Sequence, residues 1–126
     1  LIDSERRDQW GAWIAEAAGA DPARFAPNGF TVTALQAAWA AITSTDLGDG
    51  SPLHVRRALT AAVHAGDDTD TVAAIAGGLL GAGYGASAVP PEWAGAIHGW
   101  PGMTAHDLMD FSSRTAGASS RANPGQ

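Results

Sequence analysis

An all-α fold is what this sequence predicts, on three observations. Ala and Gly together make up about a third of the chain, 28 and 16 of 126 residues. Such a composition suits helices packed backbone to backbone and is poor in the β-branched and aromatic runs that strands favour. Apolar residues recur at i, i+3, i+4 and i+7, the period of a helix with one buried face. Caps and breakers punctuate these windows at helical lengths. The length allows one modest core.

The first helix carries Trp10, Trp13, Ile14 and Ala17 on one face. Two Trp on one stripe demand a partner surface. With a chain that opens Leu1-Ile2-Asp3 without Met, this makes the sequence readable as a piece of a larger protein. A loop follows from Gly19 to Gly29, broken by Pro22, Pro27 and the pair Asn28-Gly29. The second helix puts Leu35, Trp39 and Ile42 on its apolar face, with Thr31 or Thr33 as its cap. Thr43 to Ser51 is a polar turn whose Asp46, Asp49 and Gly50 lack the register and the twelfth-position Glu of a calcium-binding EF-hand. Ser51-Pro52 then starts a third helix, Ser as N-cap and Pro at the first helical position, with Val55, Leu59 and Val63 inward.

After Gly66 the acidic run Asp67-Asp68-Thr69-Asp70-Thr71 leads into a fourth helix rich in small residues. Each Gly inside a helix costs about 1 kcal/mol relative to Ala, so Gly77, Gly81 and Gly85 are expected to form a stripe of close helix contact on a central, buried helix. Pro90-Pro91-Glu92-Trp93 opens a short helix. The capping box Thr104-Ala105-His106-Asp107 opens the last, with Leu108 and Phe111 buried. No strand is expected. Residues 1–114 belong to one helical domain, and residues 115–126, rich in Gly, Ser, Asn and Pro, are expected to be a flexible tail.

Charge excludes some functions. The net charge is −6, with seven Arg and no Lys, which argues against a nucleic-acid or anionic-membrane partner because such binding needs clustered basic groups. The chain has no Cys, hence no disulfide, thiolate metal site or thiol nucleophile. No apolar run approaches the ~18 residues that span a bilayer, and the cytoplasm is the expected compartment.

The chemistry concentrates at Asp67, Asp68 and Asp70, between two apolar helices and with no basic neighbour in sequence. Carboxylates this close repel, and the helix dipole offsets little of it. A bound cation is the fuller answer, and hard oxygen donors favour Mg²⁺, Mn²⁺ or Ca²⁺ over Zn²⁺. Against this stands the plainer alternative that the Asp residues only cap the helix on a solvated turn.

The string Gly66-Asp67-Asp68-Thr69-Asp70-Thr71-Val72-Ala73-Ala74-Ile75-Ala76-Gly77-Gly78-Leu79-Leu80-Gly81-Ala82 resembles a signature near the C-terminal end of the ADP-ribosylglycohydrolase family. Upstream, Asn28-Gly29-Phe30 followed by Ala34-Leu35-Gln36-Ala37-Ala38 resembles the family's Gly-aromatic helix start. Downstream, Tyr84-Gly85, Val89-Pro90 and Glu92-Trp93 resemble a further family stretch, so the similarity spans roughly residues 10 to 110. The resemblance implies an orthogonal helical bundle, present here as its C-terminal part. It also implies a hydrolase that frees ADP-ribose from a protein side chain or small acceptor with two divalent ions, Mg²⁺ or Mn²⁺. Carried over residue by residue, it makes Asp68, Asp70 and Thr71 metal ligands and leaves Asp67 in their outer shell. The family's early Thr-Asp-Asp-Thr motif, which brings further ligands, is absent from this chain. The chain is therefore expected to supply half a metal site, with the catalytic groups on a missing N-terminal portion that acts as its partner. The alternatives are a non-catalytic helical module of the same fold that binds ADP-ribose or a protein, and a structural Ca²⁺ clip at Asp68 and Asp70.

Other residues read as structural. His64 near a helix end suits the helix dipole, His54 is expected to face solvent, and His98 and His106 to lie on the surface. Of the adjacent Arg56 and Arg57, at most one would reach a bound pyrophosphate, since neighbours on a helix point different ways.

Overall fold

The computed structural model describes residues 3–121, with side chains to residue 116. These residues form six α-helices and one two-stranded sheet in two units, Leu1–Ala88 and Val89–Gln126. The predicted all-α class is what the chain adopts, apart from that small hairpin.

In the first unit α1 (Ser4–Ala17) is capped by Asp3, whose carboxylate accepts from the Arg6 N–H at 2.8 Å. Its apolar stripe is only partly covered. Ala17 is fully buried and Trp10 and Trp13 are half-buried, packed edge to face with ring centres 5.0 Å apart, but Ile14 is 40% exposed. A 3-10 turn (Pro22–Phe25) follows, and α2 (Thr31–Thr45) begins at Phe30 without a side-chain cap. Thr31 and Thr33 do not cap it; the Thr33 hydroxyl instead lies 3.0 Å from the carbonyls of both Pro27 and Phe30.

The centre of this unit is α2 and not the fourth helix, as expected from the sequence. It packs against α1, the 3-10 turn, α3 (Leu53–His64) and α4 (Thr69–Tyr84). Ala34, Ala37, Ala38, Ala40 and Ala41 are buried around it. The small-residue composition thus does what it suggested, but on another helix: no fully buried side chain is larger than Val72 or Asn28. On α4 the buried face is Val72, Ala76 and Leu80 at four-residue spacing. The Gly stripe does not form. A Cβ at Gly77 would come 3.6 Å from Leu59 Cδ2, whereas Gly81 and Gly85 face open space. Gly85 has another use, ending the helix at φ +76°.

On α3 the helix begins one residue later than expected, after Pro52, although the Ser51 hydroxyl does accept from the Leu53 N–H at 3.2 Å. Val55, Ala58 and Ala62 point inward; Val63, expected there, is 53% exposed. The larger correction is His54. It is 3% exposed, with Nε2 2.8 Å from the Ile42 carbonyl and Nδ1 2.9 Å from the Tyr84 hydroxyl. A carbonyl only accepts, so Nε2 carries the hydrogen and Nδ1 is left to accept from Tyr84. Arg57 does the same service one turn on, its Nε–H donating to the Thr45 carbonyl at 3.2 Å. Two α3 side chains therefore donate to carbonyls in the last turn of α2, where a helix leaves its carbonyls without backbone partners. His54→Phe removes the bonds to the Ile42 carbonyl and the Tyr84 hydroxyl, leaving that carbonyl only the Thr45 hydroxyl at 3.2 Å, and should cost about 1–3 kcal/mol in thermal unfolding; no loss of stability would mean that water replaces the lost bonds.

In the second unit α5 (Pro91–Ala96) starts with Pro at its first position. Strands β1 (His98–Gly99) and β2 (Met103–Thr104) pair antiparallel, His98 opposite Thr104, and were not anticipated because each is two residues long. The capping box of α6 (Ala105–Arg121) is as read: the Thr104 N–H donates to Asp107 Oδ2 at 2.8 Å and the Asp107 N–H lies 3.4 Å from Thr104 Oγ1. Donation from the Thr104 N–H and hydroxyl holds the Asp107 carboxyl below the usual carboxylate range. Leu108 and Phe111, expected to be buried, are each 58% exposed, since α6 packs chiefly on β2. Residues 115–121 of the expected tail are helical, and residues 122–126 of it lie outside the described residues. Among the described residues no helix is long and apolar enough to cross a membrane.

Candidate functional site

Helix α3 ends at His64, and the chain reverses into α4 within Ala65–Asp68. Two consecutive left-handed residues make the reversal, Gly66 at φ +83° and Asp67 at φ +56°. Glycine adopts that region freely, and Asp is among the few other residues that visit it. The Thr69 N–H then donates to the Asp67 carbonyl at 3.0 Å, and the Val72 N–H to the Asp68 carbonyl at 3.2 Å, the first bond of α4.

This places the acidic residues at one helix start. Asp68 occupies the N-cap position and is half-buried; its carboxylate makes no side-chain cap hydrogen bond to the helix. Asp70 and Thr71 follow in the first turn and are exposed, as is Asp67. Hydrogen bonding first with the Asp70 carboxyl and then with the Thr71 side chain holds the Asp68 carboxyl below its ordinary range. Asp68, Asp70 and Thr71 are thus brought together. No cationic side chain is among the causes of this shift. Two carboxylates and a hydroxyl are hard donors that suit Mg²⁺ or Mn²⁺ but fall short of a full ligand set. Among the described residues, no group of three or more His, Asp or Glu side chains comes together to hold a metal ion.

Sequence reasoning missed Asn28, treating it as a loop breaker. It is fully buried. Its Nδ2 donates to the Gly66 carbonyl at 3.0 Å, and its Oδ1 accepts from the Asp68 N–H at 2.9 Å. Gly29 follows closely: a Cβ there would sit 3.7 Å from Asp68 Oδ2. The available signal was slight, an Asn-Gly pair that matches loop chemistry as well as it matches a buried clamp.

The residues set aside in sequence stay outside the turn. His64 is exposed, its Nδ1 2.7 Å from the Thr60 carbonyl. His98 and His106 are exposed, and His106 lies 3.8 Å from Asp110. Arg57 is committed to Thr45 and to Asp49, 3.6 Å away.

Small-residue helices around α2, with an acidic turn opening α4, define a helical-bundle protein whose polar chemistry lies at a helix start. The sequence profile of ADP-ribosylglycohydrolase matches residues 2–124, and the chain belongs to the ADP-ribosylglycohydrolase family. It is similar to ADP-ribosylarginine hydrolase Tri1 of Pseudomonas putida (strain GB-1), with 43% identity over 67 residues. That match covers 52% of this chain and 16% of the relative, so the chain spans only a small part of that protein's length. No solved structure gives a significant match.

Proposed function

We propose that the protein carrying this chain is a metal-dependent hydrolase that removes ADP-ribose from a modified protein side chain or another ADP-ribosylated acceptor. In this reading the chain supplies Asp68, Asp70 and Thr71 to one side of a site for two Mg²⁺ or Mn²⁺ ions, with Asp67 in the outer shell. The remaining ligands and the catalytic groups come from another portion of the family domain, and the cytoplasm is the expected compartment. The observation that carries the reading is the turn itself: two carboxylates and a hydroxyl gathered at the start of α4, with Asp68 held toward Asp70 and Thr71. Family membership supports ADP-ribose as the group released, and the name of the relative favours arginine as the acceptor.

Divalent ions bound there would grip hydroxyls of the ribose and lower the pKa of the attacking water. The part of this chain is to orient them. Asp68 is set by the backbone turn and Asp70 by the first turn of α4. Water then adds at the anomeric carbon as the bond to the acceptor breaks, and the acceptor leaves with the proton.

The test is hydrolysis of ADP-ribosylated arginine by the parent protein after exhaustive chelation. Activity should vanish and return on adding Mg²⁺ or Mn²⁺. Turnover unaffected by chelation would sink the metal reading, and tight binding of ADP-ribose without turnover at saturating metal would favour the non-catalytic module.

A further inference from the structure

Asn28 stands 40 residues from Asp68 in sequence, yet both ends of its carboxamide are used on a single stretch of backbone, the Gly66 carbonyl and the Asp68 N–H. These two groups flank Asp67, as the groups that a neighbouring strand would pair flank the residue between them. Asn and Gln alone carry a donor and an acceptor side by side on a neutral planar group: a carboxylate has no donor, and a hydroxyl is a single atom. The stretch needs such support. Left-handed backbone at a non-glycine residue persists only where its surroundings over-determine it, and Asp67 is held at φ +56° next to Gly66 at φ +83°. The Asp68 side chain turns toward Asp70 and Thr71 in the first turn of α4, while the backbone groups on either side of Asp67 are held from outside the helix, by Asn28. Burial adds rigidity, because Asn28 is 0% exposed and water does not compete for either bond.

We propose that Asn28 is the positioning residue of the acidic turn, holding Gly66–Asp68 in the conformation that presents Asp68 beside Asp70 and Thr71 to a divalent cation. The inference rests on the metal reading of this turn and adds to it a residue from a distant loop that touches no ion. It also accounts for the packing of the loop before α2 against Asp68, where Gly29 comes close enough to leave only ordinary contact room.

Mn²⁺ titration of the parent protein tests it, read by paramagnetic broadening of the backbone amide signals of residues 66–71 alongside amide hydrogen exchange. The unmodified protein is compared with Asn28→Ala, Asn28→Ser and the double variant Asp68→Asn/Asp70→Asn. Asn28→Ala should weaken Mn²⁺ binding about 10–100-fold, the range for partners that orient ligands. The Asp68 amide should exchange roughly tenfold faster with its acceptor gone, while amides of the α2 interior keep their protection. Asn28→Ser, whose hydroxyl reaches one partner at most, should fall between, and it carries the test if the alanine variant does not fold. Unchanged Mn²⁺ affinity in the Asn28 variants would overturn the positioning role and leave the metal reading intact. Exchange that rises uniformly through α2, α3 and α4 would mark a purely structural residue and overturn it equally. If the unmodified parent protein broadens no more than the double Asp variant, the metal reading itself fails, and this inference with it.

Discussion

Converting Asp68 and Asp70 together to asparagine should lower ADP-ribose release by the parent protein on the order of 10³-fold, the scale of transition-state stabilisation that a catalytic metal contributes. Asparagine keeps the shape of each side chain and removes the charge that a hard cation selects. The double variant should keep its fold, because asparagine serves at an N-cap as well as aspartate does and Asp70 is exposed. The measurement is kcat/KM at increasing Mg²⁺, with a thermal melt as control. A double variant that turns over normally at saturating Mg²⁺ would show that the turn does not ligate. Single variants separate the roles further. Asp67→Asn should cost far less than either, since Asp67 stands apart on the left-handed segment and only its backbone carbonyl is engaged, with Thr69.

The second large effect is on stability. Ala37→Leu should destabilise the chain by about 1–3 kcal/mol, the usual cost of forcing extra methylenes into a filled interior. Ala37 is 0% exposed on the helix that all the other helices of its unit contact, and no fully buried side chain exceeds Val72 or Asn28 in size. An isobutyl group adds three carbons to a fully buried position between closely packed helices, and α2 has to move away from a neighbour. The control is Ala74→Leu on the exposed face of α4, where a surface change should stay within about 0.5 kcal/mol. Equal melting temperatures for the two variants would mean that the alanine interior is loosely filled and that close approach is not what holds these helices.

Much of the fold was legible because helical period and caps are local. The capping box of α6, the windows of α1 to α5 and the all-α class are visible in short runs of residues. Where those readings failed, the failures share a cause. Val63, Leu108 and Phe111 lie at positions that a periodic pattern marks as inward, yet each is more than half exposed. Periodicity finds a face but not what covers it. His54 failed the other way: a polar residue in the first turn of a helix reads as solvent-facing, and only the end of α2 lying over it creates the carbonyl that it serves. The Gly stripe of α4 was a pattern without a partner, because the close packing gathers on the alanines of α2.

At the candidate site the division is sharper. By itself the sequence determined the class of fold, the run Asp67-Asp68-Thr69-Asp70-Thr71 at a helix start, and through that string the family, since all of these are carried by residues adjacent in the chain. Tertiary structure alone decided that α2 is the hub, that His54 and Arg57 complete its last turn, and that Asn28 grips the backbone at Gly66 and Asp68. Those bonds join residues 12 to 40 positions apart. The donor and the acceptor meet only after the helices have packed, because hydrogen bonding depends on where two groups arrive in space and leaves no periodic trace along the chain.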